Sequence, residues 1–218
     1  MAAEELPLRR IVVCASGVIY WAGVWVQGRR IRKRIGRSPN LKPKGTKEKA
    51  LWFGWFVVIL IWLGQPLWIG GAESGPILTL FPTLLHPASL FLGVMLVGLG
   101  YAGTLWSYAA MGDTWRIGIN RKEKPTLISR GPYRWVRHPI YLFQVVMLAG
   151  AALLLPTPMS FGILAVHYVC VLIKAGDEEA FLTTAHGSDY RDYVTRTGAL
   201  FPRLIRSGSP TGVAQTKK

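Results

Sequence analysis

A membrane helix is predicted to begin at the end of the stretch GPYRWVRHPIY, residues 131–141. This basic, turn-forming segment runs directly into an apolar run that ends at Leu155. Proline is favoured at the first helical position and pushes the residue before it out of helical geometry. We therefore expect the helix to start at Pro139, with His138 as its cap.

The composition is that of a membrane protein. Half of the 218 residues are hydrophobic and only 17% are charged, whereas a soluble domain carries about 25% charged residues. The chain is predicted to be an all-α integral membrane protein with about five transmembrane helices and a cytoplasmic amphipathic C-terminal helical segment. That segment covers Glu178 to Thr197 and is expected to break near Gly187. The five windows, each near the length that spans a bilayer, are 11–27, 51–71, 84–110, 139–155 and 157–174.

Basic residues alternate along the chain in the way that sets membrane orientation. Of the 26 Lys and Arg, ten lie between Arg29 and Lys49, seven between Arg116 and Arg137, and seven from Lys174 onward. The positive-inside pattern then places these segments and the C-terminus in the cytoplasm and the N-terminus outside. Because topology explains the net charge of +15, we expect no nucleic-acid partner. The pair Arg9-Arg10 opposes this orientation.

The two cysteines predict neither a metal site nor a disulfide. Cys14 and Cys170 are isolated and lie inside predicted spans, so we interpret both as packing residues. Residues 11–27 lack a small-residue cleavage site and are expected to be a retained helix rather than a signal peptide.

Two polar groups form the candidate site. Arg137 and His138 precede the fourth span, whose N-terminus exposes unpaired N–H groups and favours an anion. Glu178 and Glu179 follow the fifth span, which pairs with the fourth through a three-residue turn. We therefore expect the two glutamates to lie near Arg137. From physics alone, the glutamates fit equally well as a binding site and as a solvated helix start.

These motifs resemble those of the isoprenylcysteine carboxyl methyltransferase family, to which the phospholipid N-methyltransferases are related. The likeness is carried by Arg137-His138-Pro139-x-Tyr141, by Gly131-Pro132-Tyr133 before it and by Glu178-Glu179-Ala180-Phe181-Leu182 after it. It covers about 113–204, nearly half of the chain.

The resemblance implies an integral-membrane enzyme that uses S-adenosyl-L-methionine, with a cytoplasmic cofactor pocket and a lipophilic acceptor that enters from the bilayer. From the chemistry of the residues we predict Arg137 and Glu178 as catalytic residues, with Glu178 as the proton acceptor that an amine substrate would need, and we expect no metal. Carried over by position, the residues expected to bind the cofactor are Pro125, Thr126, Leu127, Ile128, Tyr133, His138, Pro139, Ile140, Tyr141 and Glu179.

Two departures from the family pattern bear on the acceptor. Phe143 stands where the family often has glycine, and we expect it to reshape the pocket wall. Ala175 stands where prenylcysteine enzymes tend to carry an arginine, with Lys174 beside it. Lys174 is therefore the predicted substrate residue, although an ammonium lacks the bidentate fork of a guanidinium.

The predicted function is methyl transfer to a lipophilic acceptor at the cytoplasmic membrane face, most simply to a prenylcysteine-like carboxylate. The alternatives are N-methylation of a lipid amine, an NADPH-dependent reductase of the sterol type, and a non-catalytic membrane protein. We interpret His167, inside the fifth span, as a hydrogen-bonded packing residue. The predicted division is 1–110 as N-terminal helices with a basic loop at 28–50, 111–206 as methyltransferase core, and 207–218 as a disordered tail.

Overall fold

The computed structural model describes residues 2–36, 38–39, 43, 45–69, 75–118 and 125–203. Six α-helices occur in these ranges. They are α1 (Ala2–Ile35), α2 (Gly45–Trp68), α3 (Pro87–Met111), α4 (Pro139–Leu154), α5 (Pro158–His186) and α6 (Ser188–Arg196). The predicted tail at 207–218 and Glu73 in the connection after α2 lie outside the described residues.

Four of the helices are long and apolar enough to cross a membrane: α1, α2, α3 and α5. The fifth apolar helix, α4, has 16 residues and is therefore about 24 Å long. That is shorter than a hydrocarbon core of about 30 Å. The predicted all-α membrane fold with about five apolar helices is confirmed, and the chain is an integral membrane protein.

Several predicted boundaries were wrong because charged residues extend the helices. The basic segment after residue 27 continues α1 to Ile35, since Lys and Arg are good helix formers. The fifth span does not end near residue 174. It runs as one helix to His186 and stops at Gly187, whose φ is 57°. Glu178 therefore lies inside a long helix rather than at the start of a separate one.

The close contact between α3 and α4 depends on glycines. A Cβ on Gly100 would lie 2.6 Å from the Phe143 carbonyl oxygen, and one on Gly93 would lie 3.0 Å from the Gly150 carbonyl oxygen. Small residues let helix backbones approach closely in membranes. A Cβ on Gly103 would likewise meet the Phe143 ring, whereas one on Gly98 would meet nothing within 4 Å.

The connections between the helices bring one end of α4 to the end of α5. Thr157 caps α5 by accepting a hydrogen bond from the Ser160 backbone N–H at 3.0 Å. The turn between Leu154 and Pro158 makes α4 and α5 an antiparallel hairpin. The first turn of α4 therefore lies beside the last turns of α5, on the side of the molecule where α1 and α3 end.

Candidate functional site

Five charged or titratable side chains meet where α4 begins. The Arg137 Nε donates to Glu179 Oε1 at 2.8 Å, and His138 Nε2 lies 3.1 Å from the same oxygen. The other ring nitrogen of His138, Nδ1, lies 3.5 Å from Glu178 Oε2. The Tyr141 hydroxyl donates to Glu178 Oε1 at 2.8 Å. The predicted meeting of Arg137 and His138 with the two glutamates is confirmed.

The segment 197–199, which follows α6, accepts hydrogen bonds from Arg137 and His138. The backbone N–H groups of Arg137 and His138 donate to the carbonyls of Gly198 and Ala199 at 2.8 and 3.0 Å. The Arg137 Nη1 donates to the Thr197 carbonyl at 2.6 Å. This parallel pairing joins residues about sixty positions apart, and no local sequence pattern predicts it.

His138 marks the helix start, but its side chain does not cap the helix. Burial lowers the pKa of His138, but hydrogen bonds to the carboxylates of Glu178 and Glu179 and their negative charges outweigh that effect. The net result is a pKa above the ordinary value of 6.5. The imidazole therefore lies between the two glutamates, with one ring nitrogen near each carboxylate.

The cluster lies at one end of a cavity of about 710 Å³. A volume in this range is typical of pockets that bind cofactors and small molecules. Pro139 and Glu179 do not line the cavity, and Glu179 instead supports Arg137 and His138 from outside it. The predicted site residues that line it are Pro125, Thr126, Leu127, Ile128, Tyr133, Arg137, His138, Ile140, Tyr141, Lys174 and Glu178.

Lys174 lies one helical turn before Glu178 on α5 and also faces the cavity. Only 5% of the residue is exposed, and its ammonium has no hydrogen bond or ion pair within the described part of the chain. A buried charge is costly unless it is paired, so Lys174 leaves a place for an anionic group.

A comparison with protein families agrees with this geometry. Residues 88–189 match the family model for phospholipid methyltransferases. This segment, just under half of the chain, is therefore similar to the phospholipid methyltransferase family. The predicted resemblance is therefore confirmed at the level of the family.

Three curated bacterial proteins are similar to the chain. A cobalt-zinc-cadmium resistance protein, CzcN, of Cupriavidus metallidurans is 27% identical over 152 residues, 68% of this chain and 60% of that protein. A nickel-cobalt-cadmium resistance protein, NccN, of Alcaligenes xylosoxydans xylosoxydans is 27% identical over 122 residues, 56% of this chain and 54% of that protein. A methanethiol S-methyltransferase of Mycobacterium tuberculosis is 39% identical over 70 residues, 32% of this chain and 28% of that protein. The matches cover 60% or less of each of these relatives' own length.

The cavity also has walls outside the phospholipid methyltransferase region. Trp55 of α2 stacks on Tyr141, with ring centroids 6.4 Å apart, and Tyr141 stacks on His138 at 5.8 Å. Sequence reasoning missed this wall because aromatic residues in a membrane helix are also typical of lipid contacts. The cavity-lining aromatic residues of α1 and α2 are Tyr20, Trp21, Trp52, Trp55, Phe56 and Trp62.

Two other residues lie where sequence reasoning did not place them. Phe143 does not line the cavity, contrary to the expectation that it reshapes the pocket wall. A Cβ on Gly103 would overlap its ring, so Phe143 occupies the space that this glycine leaves on α3. His167 does line the cavity, and neither ring nitrogen has a hydrogen-bond partner in the described structure.

In the described ranges, no cluster of three or more His, Cys, Asp or Glu side chains could hold a metal ion.

Proposed function

We propose that the protein transfers a methyl group from S-adenosyl-L-methionine to a lipophilic acceptor at the cytoplasmic face of a membrane. One observation carries the proposal. The network of Arg137, His138, Glu178 and Glu179 lies at the end of a cavity that continues between apolar helices. That arrangement provides a polar end for a charged cofactor and an apolar body for a lipid-like acceptor.

The residues at the polar end fit such a cofactor. Glu178 offers carboxylate oxygens for hydroxyl or ammonium groups, and Tyr141 offers an aromatic face that attracts a sulfonium. Pro125 to Ile128 line the same end of the cavity. Glu179 acts indirectly, because it holds Arg137 and His138 in place without lining the cavity. S-adenosyl-L-methionine, when bound, supplies an activated methyl group, so the protein has mainly to orient the acceptor and exclude water.

Arg137 is proposed as a positioning residue within this machinery. Two of its three guanidinium nitrogens are already used, one by Glu179 and one by the Thr197 carbonyl. It thereby fixes α5 and the segment after α6 against the start of α4. Arg137 also lines the cavity wall.

Lys174 favours a carboxylate as the methyl acceptor. Only 5% of the residue is exposed, its ammonium is unpaired in the described residues, and it lies one turn from Glu178 on the cavity wall. Methylation of a carboxylate oxygen releases no proton, so the reaction needs no general base. An amine acceptor, as in lipid N-methylation, must lose a proton, and Glu178 is the carboxylate placed to accept it.

The names of the relatives suggest two further functions. A small thiol acceptor, suggested by the methanethiol S-methyltransferase, would leave the apolar part of the cavity between the helices unfilled. The names of CzcN and NccN suggest a role in metal resistance. The described residues contain no cluster of metal ligands that would support it. We therefore favour a larger, lipophilic acceptor.

The proposed orientation has the N-terminus outside and the site in the cytoplasm, where the basic segments lie. Arg9, which opposes this orientation in the sequence, is fully buried and hydrogen-bonded to carbonyls of the helix bundle. After both native cysteines are replaced by alanine, Glu73→Cys should react with an impermeant maleimide in intact cells. Asp192→Cys should react only after permeabilisation, and the reverse result would overturn the orientation.

Cofactor binding by the detergent-purified protein tests the reaction class. Calorimetry should detect binding of S-adenosyl-L-methionine and no comparable binding of NADPH. Binding of NADPH alone would instead favour a reductase of the sterol type. Binding of neither cofactor, repeated in lipid nanodiscs, would favour a non-catalytic membrane protein.

A further inference from the structure

A pair of polar side chains lies in the membrane part of the cavity, away from the cofactor end. Gln144 of α4 donates its amide N–H to the hydroxyl of Tyr20 on α1, and both residues line the cavity. Gln144 lies six residues after His138, so it is about 9 Å further along α4. The pair is therefore next to the body of a bound acceptor rather than next to the methyl donor.

This pair has unused hydrogen-bonding capacity. A glutamine amide has two N–H donors and a carbonyl acceptor, and Gln144 makes one hydrogen bond to the described part of the chain. Its carbonyl oxygen and second N–H are left over. If the amide were turned around, one polar atom would still be left without a partner. The Tyr20 hydroxyl accepts from Gln144 and is hydrogen-bonded to Tyr108. When Tyr108 is the donor of that second bond, the Tyr20 O–H is free to donate to a ligand.

Because Gln144 and Tyr20 lie in the membrane part of the cavity, their unpaired hydrogen-bonding groups indicate the chemistry of the ligand. Inside a bilayer, a polar group without a partner has no bulk water to bind. Polar side chains in membrane spans are rare and usually functional. An acceptor with a purely hydrocarbon body would leave the Gln144 amide unsatisfied, whereas one hydroxyl could donate to the amide oxygen and accept from Tyr20.

We propose that the acceptor is a lipophilic acid with a hydroxyl group in its apolar body, and that Gln144 and Tyr20 bind this hydroxyl. The inference rests on the proposed function for the acidic end of the acceptor, which Lys174 binds. It makes an unsubstituted acyl or prenyl chain a poorer ligand than a hydroxylated chain of the same length. Selectivity for the acceptor then depends partly on α1, which lies outside the region 88–189 that matches the family.

Dodecanoic acid and its monohydroxylated isomers, which differ in the position of the hydroxyl, are suitable probes. Binding is followed by the fluorescence of the cavity-lining tryptophans in the full-length protein, and methylation is measured separately with S-adenosyl-L-methionine present. We expect one mid-chain isomer to bind about tenfold more tightly than dodecanoic acid, as a buried polar group gains its partner. The ratio of the two affinities should fall close to one in both Gln144→Leu and Tyr20→Phe.

Gln65→Leu is the matched control. Gln65 is also a buried glutamine of a membrane helix, but it bonds to Ser160 and does not line the cavity. Its replacement should keep the preference for the hydroxylated acid, even if the protein becomes less stable.

Three results would overturn the inference: equal or tighter binding of dodecanoic acid, survival of the preference in both variants, or no binding of any of the acids. Preferential binding of one isomer without methylation would keep the hydroxyl site and remove the proposed methyl transfer to this class of acid.

Discussion

Two buried arginines hold opposite ends of α4. Arg9 lies at the C-terminal end of the helix, where it donates to the carbonyls of Leu153 and Leu154 and of His86, and to the Ser89 hydroxyl. Arg137 lies at the N-terminal end, where it binds the Glu179 carboxylate and the Thr197 carbonyl. Both are charged residues inside a membrane protein, which by itself suggests function.

The surroundings of the two arginines differ. Arg9 is fully buried, lines no part of the 710 Å³ cavity, and has protein acceptors for both terminal nitrogens. Arg137 adjoins the cavity, and Lys174 in the same cavity has no partner among the described residues. A buried arginine therefore marks a functional site only where the neighbouring polar groups have capacity left for a ligand.

The largest effect is expected from Arg9→Met. The substitution leaves several buried acceptors unsatisfied, at about 1–3 kcal/mol for each group that finds no new partner. We expect a fall in the free energy of unfolding of about 3 kcal/mol, seen as a lower melting temperature in detergent. The folded fraction should bind S-adenosyl-L-methionine with wild-type affinity.

Arg30→Met is the control for this change, because Arg30 is an exposed arginine of the same helix. It should leave the melting temperature within about a degree or two, as surface substitutions usually do. If Arg9→Met changed cofactor affinity as strongly as stability, the two ends of α4 would not be separate in function.

Glu179→Ala should lower the affinity for the cofactor and leave the fold intact, which is the reverse of the result expected for Arg9→Met. Without the carboxylate, Arg137 and His138 lose a shared partner and the cofactor end of the cavity loses its fixed geometry. We expect the dissociation constant for S-adenosyl-L-methionine to rise about tenfold or more, because removing one partner of a buried charged pair is strongly unfavourable. Calorimetry measures the affinity, and circular dichroism should show an unchanged helix content.

Asp177→Ala is the matched control on the same helix, since Asp177 binds only the exposed Lys47 side chain among the described residues. Wild-type affinity in Glu179→Ala would remove Glu179 from the cofactor site.

A smaller, pH-dependent effect is expected at His138. Because its pKa is raised above 6.5 in the folded protein, protonated His138 stabilises the fold fully below about pH 6.5, and this contribution is lost as the pH rises through the folded value. The difference in melting temperature between wild type and His138→Gln should therefore shrink as the pH rises above about 6.5. His186→Gln provides the comparison, because His186 has no ion pair in the described structure. A constant difference for His138→Gln across this range would contradict the charged interaction.

The fold could be predicted to the level of apolar helices because membrane spans need long apolar windows. Pro139 and Pro158 gave the starts of α4 and α5 within a residue or two. The ends of α1 and α5 could not be predicted from hydropathy, because both helices continue through charged residues that favour helix outside the apolar core. Hydropathy records where the membrane ends and not where the hydrogen bonding of a helix ends.

The meeting of Arg137, His138 and the glutamates followed from the short hairpin between α4 and α5. The Gly198-Ala199 pairing and the stacking of Trp55 on Tyr141 did not, since both join residues far apart in the chain. The interpretation of Arg9 as evidence against the proposed orientation considered only its charge. Its role at the end of α4 depends on carbonyl groups that a sequence does not locate.

The smallest effect is expected from Lys47→Ala, which removes the ion pair between α2 and Asp177 next to the cofactor end of α5. The lysine side chain is 63% exposed, and exposed ion pairs contribute about 0–1 kcal/mol. We therefore expect stability to change by no more than this and affinity for S-adenosyl-L-methionine to stay the same. Calorimetry at low and high salt would check both points, because salt screens an exposed pair. A fall in affinity comparable to that of Glu179→Ala would mean that α2 holds Glu178 and Glu179 in place through Asp177, and the cofactor site would then extend beyond the residues that Arg137 and His138 contact.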